Sequence, residues 1–108
     1  MKNILITGTT SGIGYGLAEE LIREGHRVFG IARRETPAFH RAEIYHHLRL
    51  DLTDYQKVEQ ELPVFLEGID HLDLVILNSG ILGEIRWMSE VGVDEMKRVM
   101  EINVMANK

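Results

Sequence analysis

Residues 2–14 read KNILITGTTSGIG, and the rest of the chain takes its meaning from them. Ile4, Leu5 and Ile6 form a short apolar run that Thr7 and Gly8 close. Gly12 and Gly14 follow, and a helical pattern begins at Tyr15. An apolar strand, a glycine-bearing turn and a helix, in that order, make a seat for a negatively charged ligand. The first N–H groups of the helix have no internal acceptor, and its dipole favours negative charge there. Glycines remove the Cβ atoms that would hold a diphosphate away from the backbone. The spacing is GxxxGxG rather than GxGxxG, so the preceding strand and following helix carry more weight than the glycines alone. Thr9, Thr10 and Ser11 add hydroxyls that suit phosphate oxygens, although turns favour such residues anyway. The competing reading is a tight strand–helix turn with no ligand.

Working outward, residues 2–7 read as a strand buried on both faces, and residues 15–24 as a helix burying Leu17, Leu21 and Ile22. Gly25 suits the left-handed residue that ends a helix. Residues 26–32 read as a second strand, through Val28, Phe29 and Ile31. A weaker third strand covers residues 43–50, and a helical pattern runs from Asp54 to Leu66 through Val58, Leu62 and Phe65. Pro63 predicts an end or kink just before it. Residues 72–77, LDLVIL, are the fourth strand. Residues 81–92 are irregular and read as a loop with a helical turn. Residues 93–107 read as a helix capped by Asp94, with Val99, Ile102 and either Met96 or Val104 facing inward. Strands alternating with helices predict parallel strands joined by right-handed crossovers.

The bulk properties narrow the function. A chain of 108 residues has room for one domain and one core. A net charge of -5 argues against a general nucleic-acid binder and against adsorption to anionic membranes. The absence of cysteine excludes disulfides and thiolate chemistry. No apolar run approaches a membrane span, and nothing resembles a signal peptide, so the expectation is a cytoplasmic protein.

Candidate site residues cluster at the ends of the expected strands. Arg33 lies nineteen residues beyond Gly14, where a dinucleotide fold commonly places an acid on the adenosine ribose. Here the strand tip reads ARRE, and a guanidinium there would pair with a ribose 2′-phosphate. This favours NADP, with NAD left open by Glu35; a solvated charge run is the alternative. Asp51 ends the third strand, where it could accept from an adenine amino group or serve a helix cap in DLTD. Asn78 and Gly80 end the fourth strand beside the same crevice, Asn78 suited to side-chain bonds that hold the turn. Asn103 reads equally as a bonded core amide or as a functional residue. The five histidines have no metal-ligand spacing, and His46 and His47 point to opposite faces of their strand.

With these residues in view, the chain resembles the N-terminal half of a short-chain dehydrogenase/reductase. The matching pieces are TGTTSGIG at 7–14, ARR at 32–34, DLTD at 51–54, NSG at 78–80 and the IN of EINVM at 101–105. The resemblance implies an α/β fold: a Rossmann-type parallel sheet, three-layer α/β/α, strand order 3-2-1-4, with 1–108 the first part of one NAD(P)-binding domain. It implies cofactor contacts from Gly8, Thr10, Ser11, Gly12, Ile13 and Gly14. Arg33 and Arg34 would take the 2′-phosphate, Asp51 and Leu52 the adenine, and Asn78, Ser79 and Gly80 the nicotinamide side. Asn103 would hold a water in the proton relay. The implied activity is hydride transfer between NADP(H) and a small-molecule carbonyl or secondary alcohol, in a homo-oligomer, dimer or tetramer. The family's catalytic serine, tyrosine and lysine lie beyond the equivalent of Asn103. The chain is therefore expected to be an inactive fragment with an open edge on its fourth strand. The reading from another class is a noncatalytic nucleotide-binding or assembly module whose open sheet edge pairs with another chain.

Overall fold

The computed structural model describes residues 1–8, 12–34, 43–51, 54–69, 71–79, 84–92, 95, 96 and 98. The elements run β1 (Asn3–Thr7), α1 (Gly12–Arg23), β2 (Arg27–Ala32), β3 (Tyr45–Arg49), α2 (Tyr55–Phe65), β4 (His71–Ser79) and β5 (Glu84–Gly92). They form one five-stranded sheet in the order β3-β2-β1-β4-β5. The first four strands are parallel, in the order expected from the sequence.

The continuous apolar runs are explained by cover on both faces. On one face, Leu17, Ala18, Leu21 and Ile22 of α1 pack over Ile4, Ile6, Val28, Tyr45 and Ile76. On the other, Val58, Leu62 and Leu66, at helical spacing, lie over Leu5, Phe29, Ile31, Val75 and Leu77. Met96, expected to face inward, is fully buried in this second cluster. The rest of the helix expected over 93–107 lies outside the described residues, apart from Glu95 and Arg98. The end of α1 is set by Gly25 at φ 88°. Its N–H donates to the Ile22 carbonyl and that of His26 to the Leu21 carbonyl, the paired bonds of a Schellman motif. Asp54 caps α2 by accepting from the Lys57 amide.

Three expectations are corrected. Residues 84–92, expected within a loop with a helical turn, form strand β5, antiparallel to β4 from His71↔Gly92 to Ser79↔Glu84. The sheet is therefore mixed rather than all-parallel, and the β4 edge is filled rather than open. The pairing reading for another chain thereby loses the edge it named. The cause is tertiary. β4 offers a row of backbone groups along an apolar strand, and β5 satisfies them while placing Val91 and Met88 against the core. The ladder skips Asp73 opposite Glu90, where two carboxylates would face each other, and Glu90 takes a left-handed φ of 55°. Second, α1 begins at Gly12 rather than Tyr15. Third, α2 continues through Pro63 to Phe65, so the proline falls in its last turn rather than ending it.

At the sheet's N-terminal end, the Asn3 amide donates to Asp73 Oδ2 at 2.7 Å, and His71 Nε2 lies 3.5 Å from Oδ1. The backbone bond from Asn3 is the main cause that holds the Asp73 carboxyl below its ordinary 3.8, with His71 adding to it and burial opposing. A depressed carboxyl stabilises the fold above its unfolded value and loses that contribution as pH falls through its folded value. Asp73→Ala should therefore lower the urea midpoint at neutral pH, and the gap from wild type should narrow as the pH falls below 3.8 and close only below the lowered folded value. Urea titrations across that range read the difference directly.

Candidate functional site

Parallel strands bring the C-terminal ends of β1, β2, β3 and β4 to one edge of the sheet. β1 lies between β2 and β4, so the chain leaves it first to one side and later to the other. Open α/β sheets bind ligands in the crevice at such a reversal. Gly8, Asn78 and the first turn of α1 meet there.

The join is tight. Gly8 has φ 73°, and its N–H donates to the Ile31 carbonyl of β2 at 2.8 Å. That amide belongs to the sheet, so Gly8 serves by conformation rather than as a phosphate donor. The Asn78 side-chain amide donates to the Gly8 carbonyl at 3.2 Å, and its backbone N–H donates to Thr7 Oγ1 at 3.0 Å. Among the described residues, Thr7 is the polar residue buried with the core, only 2% exposed. Gly14 packs against this knot. A Cβ there would overlap the Gly8 carbonyl and lie 2.6 Å from Asn78 Nδ2. Gly12, at φ 60°, opens the helix in a backbone conformation that side chains disfavour. Ile13 beside it is 53% exposed and stays out of the core.

The tips of β2 and β3 form a second part of the site. Arg33, Arg49, Leu50, Asp51, Asp54 and Lys57 line a cavity of about 410 Å³. The Leu50 amide donates to the Ala32 carbonyl at 3.0 Å, which sets Arg33 beside this cavity. Arg33 and Arg34 are both exposed, as is Asp51. The site residues expected at Thr10, Ser11, Leu52, Gly80 and Asn103 lie outside the described residues. Ser79 is the last residue of β4, one position beyond Asn78. Thr7, Arg49 and Lys57 were not singled out from the sequence. Arg49 is the last residue of β3, paired with Ala32 and so next to Arg33 across the strands. Thr7 and Lys57 join the site through tertiary contacts. Among the described residues, no group of His, Asp and Glu could hold a metal. No described helix is long and apolar enough to cross a membrane.

A sheet of this order with helices on both faces and a glycine-built join at the β1–α1 turn defines a Rossmann-type α/β domain. The chain belongs to the short chain dehydrogenase family, whose profile matches residues 2–107. It is 29% identical over 105 residues to serine 3-dehydrogenase of Agrobacterium fabrum, covering 94% of this chain and 42% of that protein. The structure is similar to a carbonyl reductase from Pseudomonas aeruginosa, with TM-score 0.63 and 34% identity, over 78% of this chain and 41% of that one. It is also similar to a short-chain dehydrogenase/reductase from Burkholderia multivorans with bound NADP, with TM-score 0.61 and 28% identity, over 73% of this chain and 36% of that one. The chain spans less than half the length of these relatives.

Two glycines of α1 separate the demands of this site from those of the helix. Gly14→Ala should destabilise the fold by about 1–3 kcal/mol, because backbone at Gly8 must give way. Gly16 has nothing within 4 Å of a built Cβ and lies on the exposed side of α1. Gly16→Ala should stabilise by about 0.5–1 kcal/mol through helix propensity alone. Opposite shifts of the denaturation midpoint are the expected result.

Proposed function

We propose that this chain supplies the cofactor-binding part of an oxidoreductase that exchanges hydride between NADP(H) and a small-molecule carbonyl or secondary alcohol. The observation that carries the reading is the β1–α1 join, where Gly14 lets the first turn of a helix lie directly on Gly8 and Asn78. That contact aims the helix's first amides at the crevice, where a diphosphate would find donors and a favourable dipole. Gly12, Ile13 and Gly14 would supply them, with the hydroxyls of Thr10 and Ser11 beside them in the sequence. When bound, the nicotinamide group supplies or accepts the hydride. This chain's own residues bind and orient. Asn78 fixes the crevice wall on the nicotinamide side, with Ser79 and Gly80 following it. Asp51 and Leu52 would meet the adenine, and Asn103 would hold a relay water.

The choice of NADP over NAD rests on charge. Arg33 and Arg34 would take the ribose 2′-phosphate, and the cavity beside Arg33 adds Arg49 and Lys57. Similar structures hold NADP or NAD, so the charge at the tip, not the likeness, carries the choice. None of the three tyrosines, Tyr15, Tyr45 and Tyr55, has a lysine four residues on. The family's tyrosine–lysine pair therefore has no counterpart in this stretch, and turnover by these 108 residues alone would overturn the assignment of catalysis to that pair.

Cofactor binding tests the reading. Wild type should bind NADPH more tightly than NADH, measured by quenching of intrinsic fluorescence. Arg33→Ala should weaken NADPH by about tenfold to a hundredfold, the worth of a charged hydrogen bond, and leave NADH near its original value. Equal losses for both cofactors would remove the 2′-phosphate from Arg33.

A further inference from the structure

His47 sits between two unlike partners. Its Nδ1 is 2.6 Å from the Tyr45 hydroxyl, and its Nε2 is 2.6 Å from the backbone carbonyl of Arg34. A carbonyl can only accept, so Nε2 carries the proton, and in the neutral ring Nδ1 accepts a hydrogen bond from the Tyr45 hydroxyl. The chain Tyr45–His47–Arg34 therefore has a fixed direction. It also has a rigid foot. Tyr45 is 8% exposed and packs with Ile4, Ile6, Ala18 and Val28 beneath α1. His47 stands two residues on, on the same face of β3, and its cross-strand neighbour on β2 is Gly30. That glycine leaves the position beside the ring without a side chain, so the imidazole can lean along the sheet to the β2 tip.

We propose that His47 is a positioning residue for cofactor selectivity: it holds the Arg34 carbonyl and so presets the Arg33–Arg34 tip for a 2′-phosphate. The inference rests on the reading of that tip as the 2′-phosphate site. The physical argument is entropic. Arginine side chains lose rotamer freedom when they clamp an anion, and a backbone already fixed at the tip reduces the ordering still to be done. Arg33 lines the cavity with Arg49 and Lys57, and the tie from His47 holds the carbonyl of the next residue, Arg34. The tie and the cation-lined cavity thus meet at adjacent residues of the tip. NADH has no group to exploit that preset, so its binding should not register the loss.

The test compares NADPH and NADH affinities of the full chain for wild type, His47→Ala, His47→Gln and Tyr45→Phe, with the thermal midpoint of each. His47→Ala should weaken NADPH about fivefold and leave NADH unchanged, as the loss of one hydrogen bond allows. Glutamine can place an N–H near the Nε2 position, so His47→Gln should recover most of the NADPH affinity. Tyr45→Phe keeps the ring but frees its orientation, and should show a smaller loss of the same kind. If His47→Ala does not fold, the phenylalanine variant still reads the ratio. An NADPH-to-NADH ratio that stays at the wild-type value in His47→Ala, or in Tyr45→Phe if the alanine variant does not fold, would overturn the proposal alone. So would equal losses for both cofactors. A wild type with no preference for NADPH would instead overturn the 2′-phosphate reading beneath it.

Discussion

Helix α1 starts where the sheet ends, and the space between them admits a glycine and nothing larger. A Cβ at Gly14 would overlap the Gly8 carbonyl and crowd the Asn78 amide. This steric constraint fixes everything else about the crevice. It lets α1 lie over Ile4, Ile6 and Val28 with its first turn directed at the sheet's C-terminal edge. It also puts Asn78 close enough to bond the Gly8 carbonyl, while Thr7 takes the Asn78 amide. Strand β1, the glycine turn, α1 and β4 are thereby tied at one point. Buried polar groups in such a knot are satisfied by one another, which is why a threonine and an asparagine are tolerated at the rim of an apolar core.

Charge is distributed against the overall balance. The chain carries a net charge of -5, yet Arg33 and Arg49 at the tips of β2 and β3 share one cavity with Lys57 of α2, and Arg34 follows Arg33 in the chain. Asp51 and Asp54 share the cavity wall, so the cations sit in a mixed field rather than a uniformly basic one. An anion entering there gains attraction at close range, while the rest of the surface gives little general affinity for polyanions. That combination suits a small phosphate-bearing ligand better than a nucleic acid. Membership of the short chain dehydrogenase family fits the same geometry, because the relatives share this half of the fold and extend beyond it.

Antiparallel β5 shows how tertiary context outweighs local pattern. Residues 84–92 have no regular alternation: Trp87 is 72% exposed, while Val91 is buried. Nothing in that stretch taken alone marks a strand. It becomes one because β4 presents nine residues of backbone with a free side, and pairing there satisfies both strands. The same pairing lengthens β4 at both ends beyond its apolar run.

The apolar periods of β1, β2, β4, α1 and α2 were written in the sequence, since burial on one or two faces leaves a regular trace in residue type. So were the helix stop at Gly25 and the opposed faces of His46 and His47, which the structure realises as a stack on Phe29 and a bond to Tyr45. The strand order 3-2-1-4 came from resemblance to a family, and the sheet bears it out. Long-range geometry had to supply the rest. The commitment of the Gly8 amide to β2, the bond from Asn78 to Gly8, the cations gathered around Arg33 and the pairing of β5 all join residues distant in the chain. Their residue types leave no local periodicity, because each contact is set by where two strands end relative to one another. That relation exists only once the sheet has closed around its core.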